Sequence, residues 1–151
     1  MSDIEQRLAD IPVLRDLAAE EINVLDSYLS ELWLKPGDIL FKEGANEHFV
    51  GFVMQGALQV WKDNLTGRRQ SIATLPKGSS IGEMALLDNL PRSATVEAKQ
   101  PSMLHILRKA DFAELEREHP AIAIKILKYI ARTLSLNLRK ASNTLSDNML
   151  V

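Results

Sequence analysis

All seven glycines of this 151-residue chain fall between positions 37 and 82, and that confinement constrains the fold more than any other feature. Gly37, Gly44, Gly51, Gly56, Gly67 and Gly78 recur every five to eleven residues, with short apolar runs between them. A chain that turns so often leaves no room for helices, and the apolar runs have strand length, so the region reads as a compact antiparallel barrel. Strands are expected at Ile39–Phe41, Phe49–Met54, Leu58–Lys62, Gln70–Leu75, Thr95–Ala98 and Met103–Leu107. Asp63-Asn64-Leu65-Thr66-Gly67 has turn chemistry and is expected to close a hairpin between the third and fourth of them.

Helical patterns flank this region. Between Ile11 and Leu32, the spacing of Leu14, Leu17, Ile22, Leu25 and Leu29 predicts short amphipathic helices around a turn at residues 18–21. After Lys109 a short helix is expected over Asp111–Glu118, stopped at His119-Pro120 because proline disfavours helix in the residue before it. A long helix follows. Ile124, Leu127, Ala131, Leu134, Leu138, Ala141 and Leu145 advance by threes and fours along it, a seam of the kind that pairs with a second helix. Ile122, Ile126, Tyr129 and Ile130 lie on another face and are expected to pack on the barrel, and residues 142–151 are expected to fray. The expected organisation is one domain: a preface at 1–33, a jelly-roll-like β-barrel at 34–108 and closing helices at 109–151.

Composition narrows the function. With no cysteine, the chain has no disulfide, thiolate nucleophile or cysteine-based zinc site. A net charge of -2 argues against a broad basic surface for nucleic acid. No run is long enough to span a membrane and the N-terminus does not read as a secretion signal, so a soluble, cytoplasmic protein is expected. His48, His105 and His119 lack metal-site spacing, Trp33 and Trp61 read as barrel packing, and Lys128, Arg132, Arg139 and Lys140 read as a solvated helix side. No nucleophile, base and orienter can be assembled, so no catalytic residue, catalytic cofactor or metal is expected.

The chemistry concentrates in residues 81–98, IGEMALLDNLPRSATVEA. Gly82 permits a backbone conformation or close approach that a side chain forbids, and Glu83 to Leu87 are good helix formers ended by Asn89 and Pro91. The start of such a turn presents backbone N–H groups to an anion. Arg92 follows with a planar fork suited to two phosphate oxygens, and Ser93 adds a hydroxyl. Glu83 would repel a phosphate but accepts hydrogen bonds from a sugar hydroxyl. Together they describe a sugar phosphate.

This segment resembles the phosphate-binding cassette of the cyclic-nucleotide-binding domain family, which includes bacterial catabolite activators, regulators of cyclic-nucleotide-dependent kinases and gated channels. The likeness extends through the helical preface, PGD at 36–38, the Gly44 turn, GALQV at 56–60 and the closing helices. By that resemblance the ligand is cAMP or cGMP, with a slight lean to cAMP. The backbone around Gly82, Met84 and Ala85 would hold the cyclic phosphate with Arg92 and Ser93, and Glu83 would bind the ribose 2′-hydroxyl. Val60 and Ile72 would line the apolar wall, and Asn137 would reach the base edge. Ser79 and Ser80 depart from the family, standing where many members have an acid and an aromatic, and this bears on how the loop packs.

The implied mechanism is a population shift, in which the ligand favours one placement of the two closing helices and an effector protein, not identified by the sequence, reads the change. A homodimer through Leu127, Ala131, Leu134, Leu138, Ala141 and Leu145 is a further expectation. The family's transcription factors carry a DNA-reading helix-turn-helix after the long helix; this chain stops at Val151, so it is not expected to read DNA by itself. The alternative is a structural or interaction module that keeps the fold with an unoccupied pocket.

Overall fold

The computed structural model describes residues 11–149, and in it the glycine-punctuated region forms two antiparallel sheets. Strands β1 (Ser30–Leu34), β8 (Ser102–Arg108), β3 (Phe49–Gln55) and β6 (Ser80–Ile81) make one sheet, in that order. Strands β2 (Ile39–Phe41), β7 (Thr95–Ala98), β4 (Ala57–Asp63) and β5 (Arg69–Pro76) make the other. The sheets pack face to face as a jelly roll, but they are not closed into the expected barrel.

Alternation along β3 and β8 produces two cores from one sheet. Val53, Leu104 and Ile106 face the second sheet, where they meet Phe41, Leu58, Val60 and Val96. Val50, Phe52, Met103 and Leu107 face the other way, onto the helices. Burial on both faces explains why these two strands read as nearly unbroken apolar runs.

The helical layer comprises a 3-10 turn at Pro12–Asp16 and three α-helices: α1 (Ala19–Asp26), α2 (Lys109–Glu118) and α3 (Pro120–Met149). None of the described helices is long and apolar enough to cross a membrane. Ile122, Ala123, Ile126 and Ile130 of α3 are buried against α1, α2 and the outer face of the first sheet. Lys125 and Arg132 tie the same helix to the preface through Glu21 (2.6 Å) and Asp16 (2.8 Å).

Glu21 also accepts the Ala18 backbone N–H at 3.0 Å, and that bond, followed by Lys125, holds its carboxyl below the usual range. A depressed folded-state pKa stabilises above the unfolded value and loses its contribution as pH falls through the folded one. Thermal melts of Glu21→Gln and the parent should therefore differ near neutral pH, by about 0.5 kcal/mol for a half-buried pair at the edge of the helical layer, and converge well below pH 4.5.

Several sequence expectations change here. Residues 30–32, expected to be helical, belong to β1, which pairs with β8 from Ser30↔Ile106 to Leu34↔Ser102. Leu32 and Leu34 point into the inter-sheet core, so their spacing of two was the relevant signal. Trp33 on the same strand is 63% exposed and donates to Glu31, so it is not core packing. Trp61 lies beneath the Arg69 guanidinium, 4.1 Å from its ring centre, and donates to Glu97 rather than filling the interior. The α3 helix continues through residues expected to fray, to Met149; residues 1–10 and 150–151 lie outside the described residues. The β4–β5 hairpin forms as expected, its turn held by Asn64 Oδ1, which accepts the Thr66 and Arg68 backbone N–H groups.

Candidate functional site

Between β4, β5, β7 and the segment after β6 lies a cavity of about 280 Å³, near the lower bound of roughly 300–1,000 Å³ for small-molecule sites. Gly82, Glu83, Met84, Ala85, Arg92, Ser93, Val60 and Ile72 all line it. Asn137, expected at a base edge, is not among the lining residues; it is exposed on α3. Asp88, Leu90, Pro91 and Ile81 complete the wall nearest the cassette.

The backbone geometry of the cassette follows from its residues. Gly82 adopts φ +81°, a left-handed conformation that turns β6 into a 3-10 turn at Glu83–Leu86. The Ala85 N–H is donated to the Gly82 carbonyl at 3.0 Å and closes that turn, so it is engaged rather than open to a ligand. A Cβ on Gly82 would collide with Arg92 Nη1 and lie 3.1 Å from the Phe49 carbonyl. Gly82→Ala should therefore cost about 1–2 kcal/mol of stability from backbone strain alone, and should displace the Arg92 side chain as well. Chemical denaturation measures the first effect and ligand titration the second.

Arg92 is the centre of the site. Its peptide is clamped to the turn after β2: its N–H donates to the Ala45 carbonyl, and its carbonyl accepts from Gly44, each at 2.8 Å. The side chain is 7% exposed and lies against two rings, with Cζ 4.0 Å from the centre of Phe41 and 4.6 Å from that of Phe49. Nη2 donates to the Phe49 carbonyl at 2.8 Å and Nη1 to the Gly82 carbonyl at 3.4 Å, while Nε is buried without a partner. Among the described residues it forms no ion pair. Burial pulls its pKa below the usual value, and the fields of Glu47 and Glu83 oppose the shift. A buried cation without a contacting counter-ion is costly, and an anion in the cavity would relieve it.

The remaining polar groups sit at the edge. Glu83 accepts from Ser80 Oγ at 2.6 Å. Ser93 is exposed, and its carbonyl accepts from Lys62 Nζ at 2.7 Å. Lys109 secures the other end of the cassette, donating to the Asp88 carbonyl and to Asn89. Sequence reasoning missed Phe41 and Phe49, because nothing local distinguishes an aromatic that stacks on a distant arginine from one that fills a core. It also missed the partners of Ser80.

A larger hollow of about 450 Å³ lies under β1, lined by Glu31, Glu47, His48, Phe49 and Arg108 among others. Its arginine, Arg108, is exposed to solvent and already held by Ser30, unlike the buried Arg92, so it does not call for an anion as the cassette cavity does. Among the described residues no group of three or more His, Cys, Asp or Glu is placed to hold a metal.

Comparison with known proteins agrees with this architecture. The family model described as cyclic nucleotide-binding domain matches residues 31–119. The cAMP-dependent protein kinase regulatory subunit of Debaryomyces hansenii is 37% identical over 111 residues, covering 74% of this chain and 24% of that protein. The cyclic AMP receptor protein of Thermus thermophilus is 30% identical over 123 residues, covering 82% of this chain and 57% of that one. The chain thus spans less than two thirds of the length of either relative. A solved cyclic nucleotide-binding domain from Methylobacillus flagellatus has the same fold, with a TM-score of 0.84 at 26% identity over 96% of this chain and 82% of that one. With that family's model matched over more than half of its length, and its fold built around a buried guanidinium beside a cavity, the chain belongs to the cyclic nucleotide-binding domain family.

Proposed function

We propose that the chain binds a cyclic nucleoside monophosphate in the cassette cavity and passes the binding event to its C-terminal helices. The observation that carries this reading is Arg92, a buried guanidinium that lines the cavity and has no ion-pair partner among the described residues. The cyclic phosphate sits against Arg92 and Ser93 beside the Gly82–Ala85 backbone, Glu83 accepts the ribose hydroxyl, and Val60 and Ile72 cover the sugar and base. Two relatives named for cAMP favour cAMP over cGMP. The reading assigns no catalytic step.

Transmission uses α2 and α3. Lys109, the first residue of α2, holds the cassette at Asp88 and Asn89, so movement of the cassette around a ligand pulls directly on that helix. On α3, Ile124, Ala131, Leu138 and Leu145 recur every seven residues and are exposed, which favours a second copy of the chain along that stripe. An effector protein or a dimer partner reads the change there. Calorimetric titration with cAMP and cGMP tests the binding, and hydrogen exchange of α2 and α3 with and without ligand tests the transmission. Affinity no better than millimolar for both nucleotides would reject the reading.

One observation favours a second reading, a module that holds its fold with an unoccupied pocket. Arg92 already donates to two carbonyls and stacks on two rings, so the site is substantially self-supported. Mass spectrometry of small molecules released on denaturing the purified protein separates the two: bound nucleotide supports the sensor, and an empty protein with no response to titration supports the module.

A further inference from the structure

We propose that Ser80 and Tyr129 are positioning residues that aim the Glu83 carboxylate, and that through it they set the preference for a ligand with a free 2′-hydroxyl. The proposal rests on the cyclic-nucleotide reading of the cavity.

Ser80 Oγ lies 2.6 Å from Glu83 Oε1 and 3.3 Å from the Tyr129 hydroxyl. A serine hydroxyl has one proton, and an ionised carboxylate only accepts. The Ser80 proton therefore goes to Glu83, and Tyr129 donates to Ser80. The three groups form one directed chain, Tyr129 O–H to Ser80 O–H to carboxylate, and such chains strengthen each bond within them.

Both supports are fixed by the fold. Ser80 lies on β6 opposite Phe52 of β3, and Tyr129 lies on α3 beside Ile126 and Ile130, which are 1% and 2% exposed. One carboxylate oxygen is thus held from behind. The other, Oε2, has no hydrogen-bond partner among the described residues, and Glu83 lines the cavity. A carboxylate held at one oxygen presents the other in a fixed direction, and discrimination against a ligand lacking the matching donor depends on that direction. Because Tyr129 belongs to α3, the seating of that helix and the reading of the hydroxyl share one network.

The test is titration of cAMP and 2′-deoxy-cAMP into the parent chain, Ser80→Ala, Ser80→Thr, Tyr129→Phe and the Ser80→Ala/Tyr129→Phe double variant, with thermal melts confirming folding. The parent should prefer the ribonucleotide by about tenfold or more, as expected for a hydrogen bond to a charged group. In Ser80→Ala the preference should fall below about threefold while affinity for the deoxynucleotide stays nearly constant; Ser80→Thr should restore it. Tyr129→Phe should lower the preference less, and adding it to Ser80→Ala should change nothing further. Equal losses for both nucleotides in Ser80→Ala, or an unchanged ratio, would overturn the proposal while leaving the functional reading intact. Failure of the parent chain to bind either nucleotide would overturn both.

Discussion

Arg92→Ala should weaken cyclic-nucleotide binding by about 2–5 kcal/mol, the usual cost of truncating one side of a buried, hydrogen-bonded charge pair, which is roughly 30-fold to several thousand-fold in Kd. The size follows from where the guanidinium sits. Desolvation has already been incurred in the unliganded fold, since Arg92 is 7% exposed and its guanidinium lies against both Phe41 and Phe49. The ligand therefore meets a fixed, water-poor donor instead of a mobile surface cation, and charge-assisted bonds are strongest in that setting. Arg92→Lys should recover only part of the loss, because an ammonium keeps the charge and lacks the fork. Calorimetry on both variants, with circular dichroism to confirm the fold, measures the effect. Affinity unchanged in Arg92→Ala would remove the phosphate from this position.

Two leucine-like positions on one helix should behave in opposite ways. Ile126 on α3 is 1% exposed among the helical core residues, so Ile126→Ala should destabilise the chain by about 2–5 kcal/mol. For a protein of this length that lowers the melting temperature by roughly 4–20 °C, independently of protein concentration. Leu138 on the same helix is 72% exposed, and Leu138→Ala should leave a monomer's stability within about 0.5 kcal/mol. Its effect belongs to association: each Leu138 buried between two copies contributes on the order of 1.5–3 kcal/mol, so the variant should weaken dimerisation by at least about tenfold. Sedimentation over a range of concentrations reads the second effect. A parent chain that remains monomeric at high concentration would show that the stripe serves another partner.

The structure divides the seam read from the sequence. Leu127 and Leu134 are partly buried against the helical core, while Ile124, Ala131, Leu138, Ala141 and Leu145 are exposed. Periodicity shows that a helix has two apolar faces, but it does not say which residues meet their own chain and which are left for another.

Other parts of the fold were legible because the cause is local. Gly37, Gly44, Gly56, Gly67 and Gly78 mark turns, while Gly51 lies inside β3, and β2 and β7 fall at the expected bounds because turn chemistry and β-branched or aromatic runs delimit them. In the cassette, the left-handed Gly82 and the short turn after it follow from neighbouring residue types, as does the break before Arg92. Gly82, Glu83, Met84, Ala85, Arg92 and Ser93 line one cavity for that reason, whereas Val60 and Ile72 reach it from β4 and β5 through the packing of the sheet. Asn137 does not line that cavity, and its position depends on how a 30-residue helix lies against the sheets, which no local pattern encodes.

The sequence by itself determined the turn-punctuated β region, the helical flanks and the grouping of Gly82, Glu83 and Arg92, since each depends on residues close together along the chain. Tertiary structure alone decided that β1 joins the first sheet, that two rings enclose the arginine, and that Ser80 meets Tyr129 across 49 positions. Those contacts arise when distant segments are brought together by burial of apolar surface, a force without direction along the chain, so their partners become defined only once the whole core has packed.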